Sequence, residues 1–161
     1  MWRLMMESDL AAVRALAATI HPGYPEDPAV LAERRALYPQ GCFMWERDGA
    51  ARGYALSHPW VLGAPPALNT KIGRIPPEAD AYHVHDIALL TEERGRGAGT
   101  AIAEILRAHA QARGFRILTL IAVNHSAPFW ARTGFAAHED AALAPTLASY
   151  GPGAVYMRCS L

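Results

Sequence analysis

The sequence predicts one mixed α/β (α+β) domain, a central sheet of about six to seven strands flanked by about four helices, in the order β-α-α-β-β-β-α-β-α-β-β. Three observations predict it. Apolar positions switch repeatedly between helical and alternating spacing along the 161 residues, a length that suits a single domain over 1–161. The pair Asp48-Gly49 joins two strand-like runs as a hairpin. "RILTLIAV" is a nearly continuous β-branched run, the pattern of an interior strand covered on both faces.

The elements follow in order. "WRLMM" reads as a short strand, and Ser8 stands at a helix N-cap position ahead of Leu10, Val13, Leu16 and Ala17 at helical spacing. "HPGYPEDP" at 21–28 is too rich in Pro and Gly for regular structure, and "AVLAERRALY" resumes a helix after Pro28. "CFMWE" and "ARGYALSH" are the arms of the hairpin. From Pro59 to Asp80 the chain holds five prolines and little periodicity, which predicts a long surface excursion. "AYHVHDIALL" is the next strand, and from Ala98 the positions Ala98, Ala101, Ile102, Ile105, Leu106 and His109 form one helical stripe that Gly114 ends. After "RILTLIAV" comes a short helix, "SAPFWART", with Pro128 in its first turn, and "AVYMRCSL" closes the sheet.

Composition narrows the function. Lys+Arg and Asp+Glu balance at 15 each, so no net positive field favours nucleic acid as a partner. Apolar residues make up 52% and charged residues 19%, as in a soluble globular protein, and no apolar run approaches the roughly 18 residues that span a bilayer. Cys42 and Cys159 lie far apart, without a CxxC pair, a metal-ligand spacing or a signal-peptide pattern, which predicts reduced, buried thiols in a cytoplasmic protein with no membrane or metal partner.

The chemistry concentrates in "EERGRGAGTA" at 92–101, where three glycines alternate with arginines at the mouth of a predicted helix. Unpaired N–H groups and the positive end of the helix dipole suit a phosphate there. A dinucleotide-binding GxGxxG would need glycine at Thr100 and an acidic residue about twenty positions on, whereas 117–123 are uncharged. A Walker A loop would need a lysine, and the stretch has none.

"RGRGAG", with Arg94, Gly97 and Gly99, resembles the Q/R-x-x-G-x-G/A signature of the GNAT superfamily of acyl-CoA-dependent N-acetyltransferases. "NHSAPFWARTGF" resembles the family's second signature, and the element order resembles its fold across nearly the whole chain. "GYALSHPW", "HDIAL" and "FWARTGF" resemble a bacterial subgroup. The resemblance implies acetyl-CoA as cofactor, with coenzyme A pyrophosphate wrapped by the amides of Arg94, Gly95, Arg96, Gly97, Ala98, Gly99 and Thr100. Glycines suit that place because a Cβ would block close approach. It further implies that the strand end Ile87, Ala88, Leu89 and Leu90 pairs with the pantetheine arm, and that Asn124 hydrogen-bonds the arm from the other side or caps the helix at Ser126. Phe129 and Trp130 would flank the cofactor or pack into the core. A homodimer is left open.

Acyl transfer to an amine needs a neutral nucleophile, although an alkyl amine has a pKa of about 10.4. A backbone N–H of the Ile87–Leu89 strand end would hold the thioester oxygen. The base candidates lie in "YHVHD", ranked His85, Asp86, His83 by nearness to the implied thioester and by suitability for neutral-pH proton transfer. Strand alternation sets His83 and His85 on one face and Tyr82, Val84 and Asp86 on the other unless a bulge intervenes. Many family members carry a tyrosine acid four residues before the glycine of the Gly-Phe pair; here that position is Trp130, which is no useful acid. Ser126, Tyr150 or water are the substitutes.

The family's acceptor wall corresponds to "HPGYPED", with Tyr24, Glu26 and Asp27, and to His58 and Trp60. An acidic, aromatic wall suits a cationic amine, on a small molecule or a peptide. The competing class is a non-catalytic acyl-CoA-binding or sensor module of the same fold, which turnover would separate from an enzyme.

Overall fold

The computed structural model describes residues 1–161. Its seven-stranded sheet has the spatial order β1-β2-β3-β4-β5-β7-β6, formed by β1 (Trp2–Leu4), β2 (Cys42–Arg47), β3 (Ala50–Trp60), β4 (Ala81–Leu89), β5 (Ile117–Ala122), β6 (Ala136–Ala137) and β7 (Val155–Ser160). All neighbours run antiparallel except β4 and β5, which are parallel and joined by a crossover through α3 (Ala98–Ala112). The remaining helices are α1 (Leu10–Ile20), α2 (Pro28–Leu37), α4 (Ala127–Arg132) and α5 (Ala144–Ser149). No helix is long and apolar enough to cross a membrane.

Local chemistry explains most of these elements. Asp48 and Gly49 both take positive φ, the conformation of a two-residue hairpin turn matched to strand twist. Asp27 caps α2 by accepting the Ala29 N–H at 2.8 Å, and Pro28 follows where no helical donor is lost. At α1 the expected Ser8 cap is replaced. A 3-10 turn, Glu7–Asp9, precedes the helix, and Asp9 accepts the Met6 N–H while holding Arg3 at 2.7 and 2.9 Å. The carboxylate wins because it engages a guanidinium on β1 as well as a backbone donor.

Two differences concern boundaries. β3 runs through Pro59 to Trp60, paired with Ala81, so the excursion begins at Val61. The helices number five, because α5 carries no buried stripe and Pro145 sits in its first turn, leaving no periodic signal.

The sheet separates two cores. On one side Val84, Leu118 and Leu120 pack with Ile102, Leu106 and Ala110 of α3 and with Trp130. On the other, Met44, Tyr54, Leu56 and Ala88 pack with Val13 and Leu16 of α1 and Leu31 of α2. Both cysteines are free and buried, and burial pushes the Cys42 thiol up to about 12.

Candidate active site

The β4–β5 ladder is short. It joins Tyr82 to Leu118, His83 to Thr119 and Val84 to Leu120, and then the strands part while β4 stays on β3 as far as Leu89. The Leu90 N–H donates to Arg52 of β3 at 3.0 Å. Counting back by twos, Ala88 also faces β3, so the N–H and C=O groups of Ile87 and Leu89 face the gap. Unpaired strand edges of this kind accept an extended ligand. Arg94 already donates its Nε to Leu89 O at 3.3 Å.

The gap opens into a cavity of about 670 Å³. One half is built from backbone. Gly97, with φ of 86°, is the N-cap of α3 and has no side-chain hydrogen bond across the helix mouth, so the first-turn amides keep their donors. Gly95 and Gly97 need glycine for their positive φ, since an added Cβ would meet nothing within 4 Å. Gly99 needs it for a different reason: a Cβ would lie 3.2 Å from the Phe129 ring, which sets how closely α3 and α4 approach.

The other half is built from side chains, and a bulge arranges them. Leu56 pairs with Asp86 but Ser57 pairs with Val84, so His85 is an extra residue in β4. The expected alternation is thereby corrected: Val84 faces α3, whereas His85 and Asp86 both turn toward the α1–α2 side. The His85 Nε2–H donates to Glu26 Oε1 at 2.9 Å. The His21 Nε2–H donates to Asp86 Oδ1 at 3.0 Å, and the Tyr54 hydroxyl makes a short hydrogen bond to Asp86 Oδ2. Two histidine–carboxylate pairs thus stand side by side in one wall of the cavity.

Burial and pairing compete in each of them. Burial favours neutral His21, but the hydrogen bond and charge of Asp86 outweigh it and raise the imidazole above its ordinary 6.5. Burial favours protonated Asp86, but hydrogen bonds from His21 and Tyr54 and the His21 charge outweigh it and hold the carboxyl below 3.8. For Glu26 the burial effect is likewise overcome, by the charge and hydrogen bond of His85. Exposure separates the pairs. The side chains of His21 and Asp86 are 15% and 16% exposed, those of His85 and Glu26 only 1% and 7%.

Of the residues singled out in the sequence, Tyr24, Glu26, His85, Asp86, Ile87, Leu89, Arg94, Gly95, Gly97, Gly99, Thr100, Asn124, Ser126, Phe129, Trp130 and Tyr150 all line this cavity. Eight do not. Ala88 packs toward α1 and Leu90 bonds β3, as the pleat dictates. Arg96 is exposed, and Ala98 is buried with its carbonyl accepting Trp2 Nε1–H at 2.9 Å. Asp27 is spent on capping α2, and Trp60 donates to Ala64 O at 2.7 Å. His58 and His83 are 0% and 1% exposed; His58 Nδ1–H donates to Pro59 O and His83 Nδ1 is hydrogen-bonded to Thr119. Burial lowers His83 well below its ordinary value and His58 to about 3, so both are neutral. Sequence reasoning missed His21, Tyr54 and Leu68. His21 opens the Pro-rich loop already singled out, and Tyr54 occupies the strand facing β4, but neither signals a partner 65 or 32 residues away.

Comparison with known proteins adds the family context. The model of the acetyltransferase (GNAT) family matches residues 10–135. No curated protein matches the chain by sequence. Among solved structures, the GphF GNAT-like decarboxylase in complex with isobutyryl-CoA aligns with a TM-score of 0.80 and 17% identity over 99% of this chain and 98% of that one. Ard1 from Thermoplasma volcanium aligns at 0.75 and 12% identity over 100% and 97%. N-acetylglutamate synthase from Neisseria gonorrhoeae, complexed with coenzyme A and N-acetyl-glutamate, aligns at 0.70 and 16% identity over 100% of this chain and 35% of that one. At such identities these likenesses show a shared fold.

Proposed function

Because the chain belongs to the acetyltransferase (GNAT) family, we propose that it transfers an acyl group, acetyl in the simplest case, from acyl-CoA to a primary amine by direct attack within a ternary complex. The observation that carries this reading is one continuous cavity joining an unpaired β4 edge and an open helix mouth to two histidine–carboxylate pairs. The donor set fits coenzyme A: amides of the 94–100 turn and the Arg94 cation toward pyrophosphate, Ile87 and Leu89 backbone along the pantetheine arm, Asn124 opposite. Acyl-CoA, when bound, supplies the thioester.

The residues of this chain then have four tasks. A gap-facing N–H of Ile87 or Leu89 donates to the carbonyl oxygen where negative charge develops. The amine must lose a proton, which costs about 4–5 kcal/mol at neutral pH for a pKa near 10.4. Asp86 and His21 form the more exposed of the two pairs, so that pair takes the proton, with Asp86 as the group that meets the amine and His21 holding it, and the sealed His85–Glu26 pair holds the neighbouring wall. His83, buried against Thr119, stays outside the reaction. Wall contacts from Tyr24 orient the acceptor.

The leaving thiolate receives less help. Trp130 holds the position of the family's tyrosine, and Tyr150 donates its hydroxyl to Pro66 O at 3.1 Å while burial raises its pKa, which makes it a poorer acid. A thiol of pKa about 8.5 leaves only about 1.5 units above neutrality, so release to water, with or without Ser126, costs about 2 kcal/mol. Trp130 also favours a second reading, a non-catalytic acyl-CoA-binding or sensor module. A screen of amines with acetyl-CoA, following free thiol, separates the two: amine-dependent thiol release supports the enzyme, and acetyl-CoA binding without turnover of any amine supports the module.

A further inference from the structure

The acceptor half of the cavity is walled by two loops that are stitched together. Asn69, in the loop between β3 and β4, donates its backbone N–H to Glu26 Oε2 at 3.1 Å and accepts the Asp27 N–H on its side chain at 2.7 Å. The same loop is tied to α2 by Arg34 on Thr70 O at 2.8 Å and by Glu33 on the Ile72 and Gly73 N–H groups. It is tied to α5 by the Leu68 N–H on Ser149 Oγ at 3.0 Å, next to the Tyr150 bond to Pro66. A polypeptide needs an open groove between such loops. Here hydrogen bonds through Asn69 join the loops instead, and Leu68 faces the cavity from the join.

The charges at this end are also one-sided. Asp86 and Glu26 contribute carboxylates, each with a single histidine as its ion-pair partner. The nearest buried cation, Arg34, has its terminal nitrogens on Glu33 and Thr70 and does not line the cavity. Arg94 borders both halves, since its charge reaches His21 and it lines a recess with Ile20, His21 and Tyr24. Its Nε, however, is on Leu89 O at the start of the α3 turn, where it is proposed to face coenzyme A, and Arg132 lies on α4. With Arg94 engaged by coenzyme A, a carboxylate on the acceptor would sit beside Asp86 with no cation left to it, a like-charge contact that costs heavily in a partly desolvated site. The remaining lining, Ile20, Leu68 and Tyr24, is apolar or aromatic.

We propose that the acceptor is a small primary amine with an apolar or aromatic body and no carboxylate, not an amino acid and not a polypeptide; this rests on the acyl-transfer reading above. The test measures kcat/KM with acetyl-CoA for phenethylamine and tyramine, for phenylalanine and tyrosine, for tyrosine amide, and for a short peptide with a free amino terminus. The amines should exceed the parent amino acids and the peptide by about 100-fold, and tyrosine amide, which keeps the size of tyrosine without its charge, should follow tyramine within about tenfold. Amino acids or peptide turned over as well as the amines, or tyrosine amide as poor as tyrosine, overturn this proposal and leave acyl transfer standing. No turnover of any class, with acetyl-CoA bound, overturns both.

Discussion

The two halves of the cavity are made of different material. The half proposed for the cofactor is a parted strand edge and a glycine turn, which offer backbone donors for recognition. The acceptor half is made of side chains that meet across the fold, His21 with Asp86 and Glu26 with His85, at sequence separations of 65 and 59. Backbone recognition depends on a local conformation, so a change there acts through φ or steric room. Recognition by side-chain pairs depends on protonation, so a change there acts through pH.

The largest expected effect breaks the first half. Gly97→Asp sets a side chain where φ is 86° and a negative charge where phosphate is proposed. For the native protein, acetyl-CoA at a hundred times its Kd should add about 2.7 kcal/mol, or about 5–10 °C in Tm. The folded variant should show no shift, measured by thermal melting. A retained shift would remove the phosphate from the glycine turn.

Next comes the second half. Asp86→Asn should lower kcat/KM by about 10²–10⁴ and leave the acetyl-CoA shift unchanged, since Asp86, paired with His21, lies in the half proposed for the acceptor. The pH profile carries the sign. His21 is raised by Asp86, so activity in the native protein should climb with pH through a value above 6.5, as the pair sheds its proton. Without the carboxylate, burial is left as the dominant influence on His21 and lowers it, so the limb should move to lower pH. His85→Gln is the control: a larger loss there than in Asp86→Asn would move proton transfer to the sealed pair.

This contrast also explains what the sequence discloses. The element order apart from α5, the Asp48-Gly49 turn, the α3 stripe and the glycine turn all rest on residues within a few positions of one another, and all are legible. The bulge at His85 is not. It arises from a mismatch between β3 and β4 that no single strand records, and it reverses which face Asp86 joins. His21 escapes for the same reason, because a histidine after a helix becomes part of the site only when β4 delivers Asp86 to it. Asn69 is likewise an ordinary loop residue until it meets Glu26 and Asp27.

A smaller effect concerns stability behind the acceptor wall. His58 is buried neutral with its pKa lowered to about 3, so the folded state refuses a proton that the unfolded chain takes below 6.5. Stability is therefore unaffected above that value and falls as pH drops toward 3, by on the order of 5 kcal/mol when complete. His83, lowered in the same direction, adds to the loss. Acid unfolding of the native protein should set in between these values, and His58→Leu should move its midpoint down by about half a pH unit or more. An unmoved midpoint in a folded variant would show that buried His58 does not govern acid lability.

The smallest effect is expected at Trp130, where the contrast between the halves is most exposed to failure. The indole is 8% exposed and packs edge-to-face on Phe129 and Phe135, with centroids 5.0 and 5.3 Å away, so its visible contacts are those of a core aromatic. Trp130→Phe keeps both contacts and removes only the indole N–H and part of the volume. It should cost less than about tenfold in kcat, with the acetyl-CoA shift retained. Trp130→Tyr tests the complementary point, because a phenol there supplies the acid the family ordinarily uses. Its gain is bounded by the missing proton affinity of the thiolate, about 1.5 units, and so by about 30-fold in kcat. A loss of a hundredfold in Trp130→Phe, with folding and the cofactor shift intact, would assign the indole a positioning role at the reacting sulfur. The cofactor half would then depend on a side chain as much as the acceptor half does, and the division between backbone-made and side-chain-made recognition would have to be redrawn at α4.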